Sequence, residues 1–290
     1  MSDYLIVTDN MCDLPDDYCE KHALERVYLS YLMDGVTYNG DKRQDEKEFY
    51  ARLRKGSLPV TSQITPDVAN TALTTLIKAG NRNILFIAFS SGLSGTFNSV
   101  SVAAKELMEA YPDCRIKVID SLCASLGQGL LVHKALCMQE KGASFEEVAE
   151  WVENNKLHLV HNFTVDDLFH LHRGGRVSRA TAIVGSMINI KPMLHVDDAG
   201  HLISIGKVRG RRKSIIELAN AMEKQMGSRR GENDTVFISH GDCLEDARFL
   251  AGSIEERFGI KDILINYVGP TIGAHSGPGT LALFYLGDYR

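Results

Sequence analysis

The chain has 290 residues, 44% hydrophobic and 24% charged, an ordinary globular composition in a length that suits two cores. The formal net charge of -5 argues against a general nucleic-acid surface, and the basic clusters Arg209-Gly210-Arg211-Arg212-Lys213 and Arg229-Arg230 are of the kind that faces solvent. An N-terminus without a basic-then-apolar signal, no apolar run of bilayer length, six cysteines without a C-x-x-C pair and no H-E-x-x-H or Cys/His cluster predict a reduced, cytoplasmic protein with no stable membrane insertion, metal or cofactor.

Tyr4 to Asp9 reads as a first strand, followed by Asn10-Met11-Cys12-Asp13 and a helix opened by Leu14-Pro15. Asp9, at the strand's C-terminal end, either faces a ligand crevice or bonds the N–H groups of the turn. Arg26 to Met33 alternates as one strand, Asp34-Gly35 is a hairpin turn, Val36 to Tyr38 is the return strand, and Asp45 to Lys55 is an amphipathic helix. In Pro59-Val60-Thr61-Ser62-Gln63-Ile64-Thr65-Pro66, Thr65 caps a helix that starts at Pro66; that cap leaves Thr61 and Ser62 free.

Ile84 to Phe89 is a buried strand, and Asn98 to Ala110 is a helix. Between them lies Ser90-Ser91-Gly92-Leu93-Ser94-Gly95-Thr96. Such a turn points backbone N–H groups and the positive end of a helix dipole at one spot, which suits a carboxylate or phosphate; it is equally the form of an ordinary Ser/Thr cap. Arg115 to Asp120 is a strand, and Ala124 to Lys141 is a long apolar helix whose Gly127 and Gly129 imply close packing against another helix or a ligand. Ser144 and Glu147 form a capping box.

A soft boundary falls near Lys156 to Val160, giving residues 1–158 and 159–290 as two α/β domains. The first is a mostly parallel layered sheet, and the second a mixed sheet with flanking helices. The second half opens with a strand from Leu157 to Phe163 and a helix from Val165 to Leu171. In His172-Arg173-Gly174-Gly175-Arg176-Val177-Ser178, either two guanidinium groups form an anion site or the glycines cap a helix with basic residues at its end. Ser178 caps a helix to about Ile188. Lys191 to Val196 and Leu202 to Val208 form a hairpin ending at Arg209, followed by the helix Ser214 to Met226. Thr235 to His240, a helix over Leu244 to Phe258 and Asp262 to Val268 complete an α/β run. Gly269 to Gly279 reads as a bent loop that gives His275 a polar task, and Thr280 to Leu286 is the last strand.

No P-loop lysine follows Gly92-Leu93-Ser94-Gly95-Thr96, and no G-x-G-x-x-G follows the first strand. A serine hydrolase or acyltransferase using Ser94, His275 and an acid such as Asp9 ranks lower, because Thr96 stands where a nucleophile elbow has its second glycine. The hydroxyls of Thr61, Ser62 and Ser94, the N–H groups from Gly95 on, and His275 are able to converge on one carboxylate. Apolar stretches around Leu122 to Met138 and Ile183 to Ile190 are expected to line a long pocket. Each buried CH₂ contributes about 0.8 kcal/mol, so a long acyl chain gains roughly 10 kcal/mol before the costs of binding.

Five stretches in this order carry a resemblance over essentially the whole length. They are Val7-Thr8-Asp9-Asn10 with Asp13-Leu14-Pro15, Thr61-Ser62-Gln63-Ile64-Thr65-Pro66, Ser90 to Thr96, Arg173-Gly174-Gly175-Arg176-Val177-Ser178, and Gly273-Ala274-His275-Ser276-Gly277-Pro278-Gly279. The chain resembles the DegV family of bacterial fatty-acid-binding proteins. The resemblance implies two α/β domains with one long-chain fatty acid buried between them. It implies a carboxylate held by Thr61, Ser62 and Ser94 beside His275, and no catalysis by the protein itself. Members that serve a fatty acid kinase present the acyl group for phosphorylation toward phospholipid synthesis. Arg173 and Arg209 are then the candidates for phosphate and partner contacts. Ile64, where proline is frequent, and Asn10, where serine is common, depart from the family pattern without removing a carboxylate contact.

Overall fold

The computed structural model describes residues 3–166, 168–178 and 189–290. The helix predicted after Ser178 falls outside the described residues. In chain order the elements are β1 (Leu5–Asp9), α1 (Asp16–Lys21), β2 (Glu25–Val27), β3 (Ser30–Met33), β4 (Val36–Tyr38), α2 (Glu46–Arg54), β5 (Val60–Ser62), α3 (Pro66–Lys78), β6 (Asn83–Ala88), α4 (Thr96–Ala110), β7 (Arg115–Asp120), α5 (Leu126–Glu140) and α6 (Phe145–Asn155). They continue with β8 (Leu159–Thr164), α7 (Phe169–Arg173), β9 (Ile190–Val196), β10 (Leu202–Arg209), α8 (Arg211–Met226), β11 (Thr235–His240), α9 (Leu244–Phe258), β12 (Asp262–Tyr267), α10 (Pro270–Ser276) and β13 (Leu281–Leu286).

The strands form three sheets. One is parallel, ordered β2-β1-β6-β7; one is small and antiparallel, ordered β4-β3-β5; one is mixed, ordered β10-β9-β8-β13-β11-β12. The mixed sheet is antiparallel except where β11 runs parallel to β12. The parallel sheet follows from the alternation of strands and helices, and β6 is buried at every position after Asn83, as a covered parallel strand must be. Local signals set the helix starts. Asp45 accepts from the Glu48 N–H, Thr65 accepts from the Val68 N–H ahead of Pro66, and Ser144 with Glu147 closes a capping box.

Helix α5 lies between the parallel and the mixed sheet. Its Leu130 and Leu131 share one core with Leu85, Ile87 and Ile119 on one side and Phe163, Phe237 and Phe284 on the other. From Leu126 to Val132 the helix is buried all round and needs no polar face, which is why its sequence there shows no clear apolar stripe. Both of its glycines are close approaches. A Cβ on Gly127 would lie 2.2 Å from His161 Nε2, and one on Gly129 would lie 2.6 Å from the Cys12 carbonyl.

Three expectations need correction. Arg26 to Met33 is not one strand: the Leu29 N–H donates to Asn10 Oδ1 at 2.7 Å, so the chain leaves the parallel sheet after Val27 and joins the small sheet at Ser30. The stretch from Val165 to Leu171 is helical only from Phe169. The presumed loop around His275 contains helix α10, with Pro270 in its first turn and Gly277 ending it at φ +79°. Proline just inside and glycine just past the end mark a helix as strongly as they mark a loop.

Candidate functional site: a cavity with one polar, cationic end

A cavity of about 430 Å³ opens where the C-terminal ends of β1 and β6, the N-terminal approach to α5, and helix α10 meet. Crevices beyond the carboxyl ends of parallel strands are where open α/β sheets place ligands. Thr61, Ser62, Ser94, Gly95 and His275 all line it.

Two loops form the polar end. The Thr61 hydroxyl and His275 Nε2 are hydrogen-bonded at 2.8 Å, which ties β5 to α10. The Thr96 N–H donates to Ser94 Oγ at 3.3 Å, and the Ser94 and Thr96 hydroxyls pair at 2.9 Å, so Ser94 is tied to the first residue of α4 while it lines the cavity. The Ile64 N–H donates to Thr96 Oγ1 at 3.3 Å and Gln63 Nε2 donates to Ser99 Oγ at 3.4 Å, joining the two loops. Gln63 lies directly over Gly95, where a Cβ would stand 2.3 Å from Oε1. The start of α4 therefore directs its positive dipole end and its first N–H groups to the same corner.

The Arg173-Gly174-Gly175-Arg176 turn fastens this corner from the other half of the chain. Arg173 donates through both terminal nitrogens to the Pro59 carbonyl at 3.2 Å, and through Nη2 to the Ala274 carbonyl at 2.9 Å. Arg176 donates to the Leu93 carbonyl through Nε at 3.3 Å and Nη2 at 3.1 Å. The tip of the β9–β10 hairpin docks on the same loop, where Ser90 Oγ donates to the Gly200 carbonyl at 2.9 Å. Arg176, not Arg173, lies on the cavity wall. The sequence offers both guanidinium groups of this turn as an anion site, and the resemblance singles out Arg173 alone. Arg209 is exposed at the end of β10, opposite Ile190, and is not among the lining residues.

Burial pushes the His275 imidazole down to about 4, helped by the nearby charges of Arg176, Arg173 and His170. His275 is thus neutral at pH 7 and offers a hydrogen bond rather than a charge. Burial also lowers Arg176. No aspartate or glutamate is among the described residues lining the cavity, so the arginine gives the polar end a positive potential that suits an anion.

Asp9 takes the second of its two readings. It accepts from the N–H groups of Phe89 at 2.7 Å and Met11 at 3.1 Å, and from Gln128 at 3.2 Å, and does not line the cavity. With Ser94 bonded to Thr96, His275 to Thr61, and Asp9 to the turn, these residues do not form a nucleophile–base–acid chain.

The rest of the wall is largely apolar and comes from both large sheets and their loops, including Met11, Phe89, Phe163, Val196, Leu202 and Phe284. Of the stretch from Leu122 to Met138, only Ala124 and Ser125 reach the cavity, because the body of α5 is committed to the core between the sheets. Ile183 to Ile188 lie outside the described residues. Among the described residues no helix is long and apolar enough to cross a membrane.

Residues 4–288 match the model of the family described as "Uncharacterised protein, DegV family". A DegV domain-containing protein of Clostridium perfringens is 46% identical over 292 aligned positions, covering 100% of this chain and 99% of its own. Among solved structures, a DegV family protein from Thermus thermophilus, described for its fatty acid binding, superposes with a TM-score of 0.86 at 27% identity, covering 98% of this chain and 99% of its own. A stearic-acid-binding protein from Eubacterium ventriosum superposes with a TM-score of 0.88 at 25% identity, covering 99% of each chain. By sequence over nearly its full length and by fold, this chain belongs to the DegV family.

Proposed function

We propose that this protein binds one long-chain fatty acid, without catalysis of its own, and presents it to a fatty acid kinase for acyl-phosphate formation. The observation that carries the binding is a cavity with an apolar body and a single cationic, hydroxyl-rich end. The carboxylate is held by Thr61, Ser62, Ser94, the N–H of Gly95 and His275, with Arg176 supplying charge. The tail runs between the two large sheets, and its burial supplies most of the affinity. The polar end fixes which way the chain lies.

Presentation to a kinase is supported by exposure at that end: Ser62 and Gln63 are exposed while lining the cavity. Arg173 and Arg209 are then the basic residues for the phosphate and the partner, in a protein that works in the cytoplasm. We place the boundary between its two α/β domains at residues 158 and 159, where β8 begins. Native mass spectrometry of the purified protein, followed by denaturation and identification of what is released, tests the binding. One fatty acid per chain is expected, and a chain that neither carries nor takes up fatty acid refutes the reading. Adding a bacterial fatty acid kinase and ATP to the loaded protein is expected to give acyl-phosphate; its absence with an active kinase refutes the presenting role alone.

A further inference from the structure

The cavity has a second polar feature that a plain hydrocarbon tail leaves unused. Ser125 and Ser239 both line it, and both are buried. Ser125 Oγ bonds the Asp13 carboxyl at 2.5 Å and Ser239 Oγ at 3.0 Å. These three residues come from the turn before α1, the residue before α5, and the C-terminal end of β11. Among the described residues no hydrogen bond joins them to the Thr61–His275 pair.

The placement is specific. On β11 side chains alternate, so Ser239 shares its face with Phe237, which is packed in the core around α5. An apolar residue is what that face calls for, and a hydroxyl stands there instead. Asp13 and Ser125 both hold left-handed backbone conformations, at φ 51° and 54°, which non-glycine residues adopt at a cost.

Proton counting shows what the chain of hydroxyls offers. Burial raises the Asp13 carboxyl to about 8, so at pH 7 it holds its proton. Asp13 then donates to Ser125, Ser125 donates to Ser239, and the Ser239 hydrogen is left for the cavity. With the chain reversed, Ser239 donates inward and offers a lone pair. Either way the relay ends on the cavity wall with one unused hydrogen-bonding position, in surroundings where an unmade bond is unfavourable.

We infer that Ser239, backed by Ser125 and Asp13, forms a subsite for a hydroxyl carried on the hydrocarbon part of the bound chain, so that the preferred ligands include hydroxylated long-chain fatty acids. This rests on the fatty-acid reading of the cavity. The relay works as donor or acceptor, as a ligand hydroxyl requires. Recognition is set by the position of the hydroxyl along the chain, because the carboxylate is anchored separately, at the Thr61–His275 corner.

The test is calorimetric titration of delipidated protein with octadecanoic acids carrying one hydroxyl at successive carbons, with octadecanoate as reference. One position, or a few adjacent ones, is expected to bind about five- to tenfold more tightly than octadecanoate, the gain of one hydrogen bond in a dry site. Ser239→Ala, which keeps the Ser125–Asp13 bond, is expected to bring that ratio to one or below. Octadecanoate binding as tightly as every hydroxylated member overturns the subsite and leaves the fatty-acid reading standing. Failure to bind any member, octadecanoate included, refutes the fatty-acid reading itself. The position scan on the unaltered protein decides the matter even if the variant folds poorly.

Discussion

Gly174→Ala isolates the part played by His275 without touching it. Gly174 has φ -75° and ψ -6°, a conformation alanine adopts freely, so the backbone raises no objection. The obstacle is one ring. A Cβ at Gly174 would stand 2.0 Å from His275 Nδ1, with Cε1 at 2.9 Å and Cγ at 3.0 Å. An imidazole is rigid, and this one is fixed at its far nitrogen by Thr61 at 2.8 Å. The ring must move by more than an ångström and the Thr61 bond must break. Overpacking of this kind costs about 1–3 kcal/mol, offset by the few tenths to 1 kcal/mol that Gly→Ala gains through the unfolded chain. The net expectation is a melting point lower by a few degrees, at about 2–4 °C per kcal/mol for a chain of this size. For binding, the displaced ring would lose the proposed hydrogen bond to a charged carboxylate, worth about 1.5–3 kcal/mol, or roughly ten- to a hundredfold in fatty-acid affinity. The assay is a double-mutant cycle with His275→Ala, read by calorimetric titration and thermal melting. With the ring gone, Gly174→Ala is expected to cost nothing further in affinity and to turn neutral or favourable in stability. Equal affinity for Gly174→Ala and the unaltered protein refutes the role of His275; additive losses refute the contact as its cause.

The other predictions concern protons and packing. The Asp13 carboxyl, at about 8 against an ordinary 3.8, keeps a proton that the unfolded chain releases between those values, so its contribution is full below pH 4 and lost as pH rises toward 8. Asp13→Asn should flatten the fall of the urea midpoint over that range, and an unchanged slope would contradict the assignment. His275 gives the opposite sign: with its folded value near 4 against 6.5, stability is full above pH 6.5 and lost as pH falls toward 4. His275→Gln should flatten the loss in that acid window, by at most about 1.4 kcal/mol per pH unit. Arg176→Lys removes the paired donors to the Leu93 carbonyl and should weaken fatty-acid binding by about three- to tenfold; unchanged affinity would show that the loop holds itself. Gly127→Ala would press a Cβ against His161 and Phe284 and should lower the melting point by several degrees, whereas helix propensity alone predicts a rise.

Legibility in the sequence followed the range of the interactions. The caps at Thr65 and Ser144 were readable because donor and acceptor lie three residues apart. The hairpin of β9 and β10 was readable from its turn. Gly127 and Gly129 announced close packing, but the partners are His161 and Phe284 of the mixed sheet and the Cys12 carbonyl of the turn after β1, all distant in the chain, and not the neighbouring helix or ligand expected. The break at Leu29 depends on one side chain, Asn10, nineteen residues away, and no alternation pattern records it. The site motifs were found as separate loops; that Thr61 meets His275, or that Arg176 meets Leu93, is a property of the assembled sheets. Apolar stretches such as the one in α5 say that something covers them, without saying whether it is a ligand or the core.

The contacts that bring the two halves of the chain together are of two unlike kinds. Around α5 they are apolar and continuous, with Leu130, Leu131, Phe163, Phe237 and Phe284 all nearly or fully buried. At the cavity's polar end they are separate hydrogen bonds to backbone carbonyls: Arg173 to Pro59, Arg176 to Leu93, and Ser90 to Gly200. Each such bond contributes about 1 kcal/mol net, or somewhat more from a charged donor, while each large side chain in the core contributes about 1.5–3 kcal/mol. Separating the sheets along α5 would break many of the latter at once. Releasing the loops at the polar end breaks only a few of the former, and water replaces much of what is lost. A chain with this distribution opens at its polar end first. That is also where Ser62 and Gln63 are exposed, so the end proposed to hold the head group is the end most easily released, while the core around α5 stays closed.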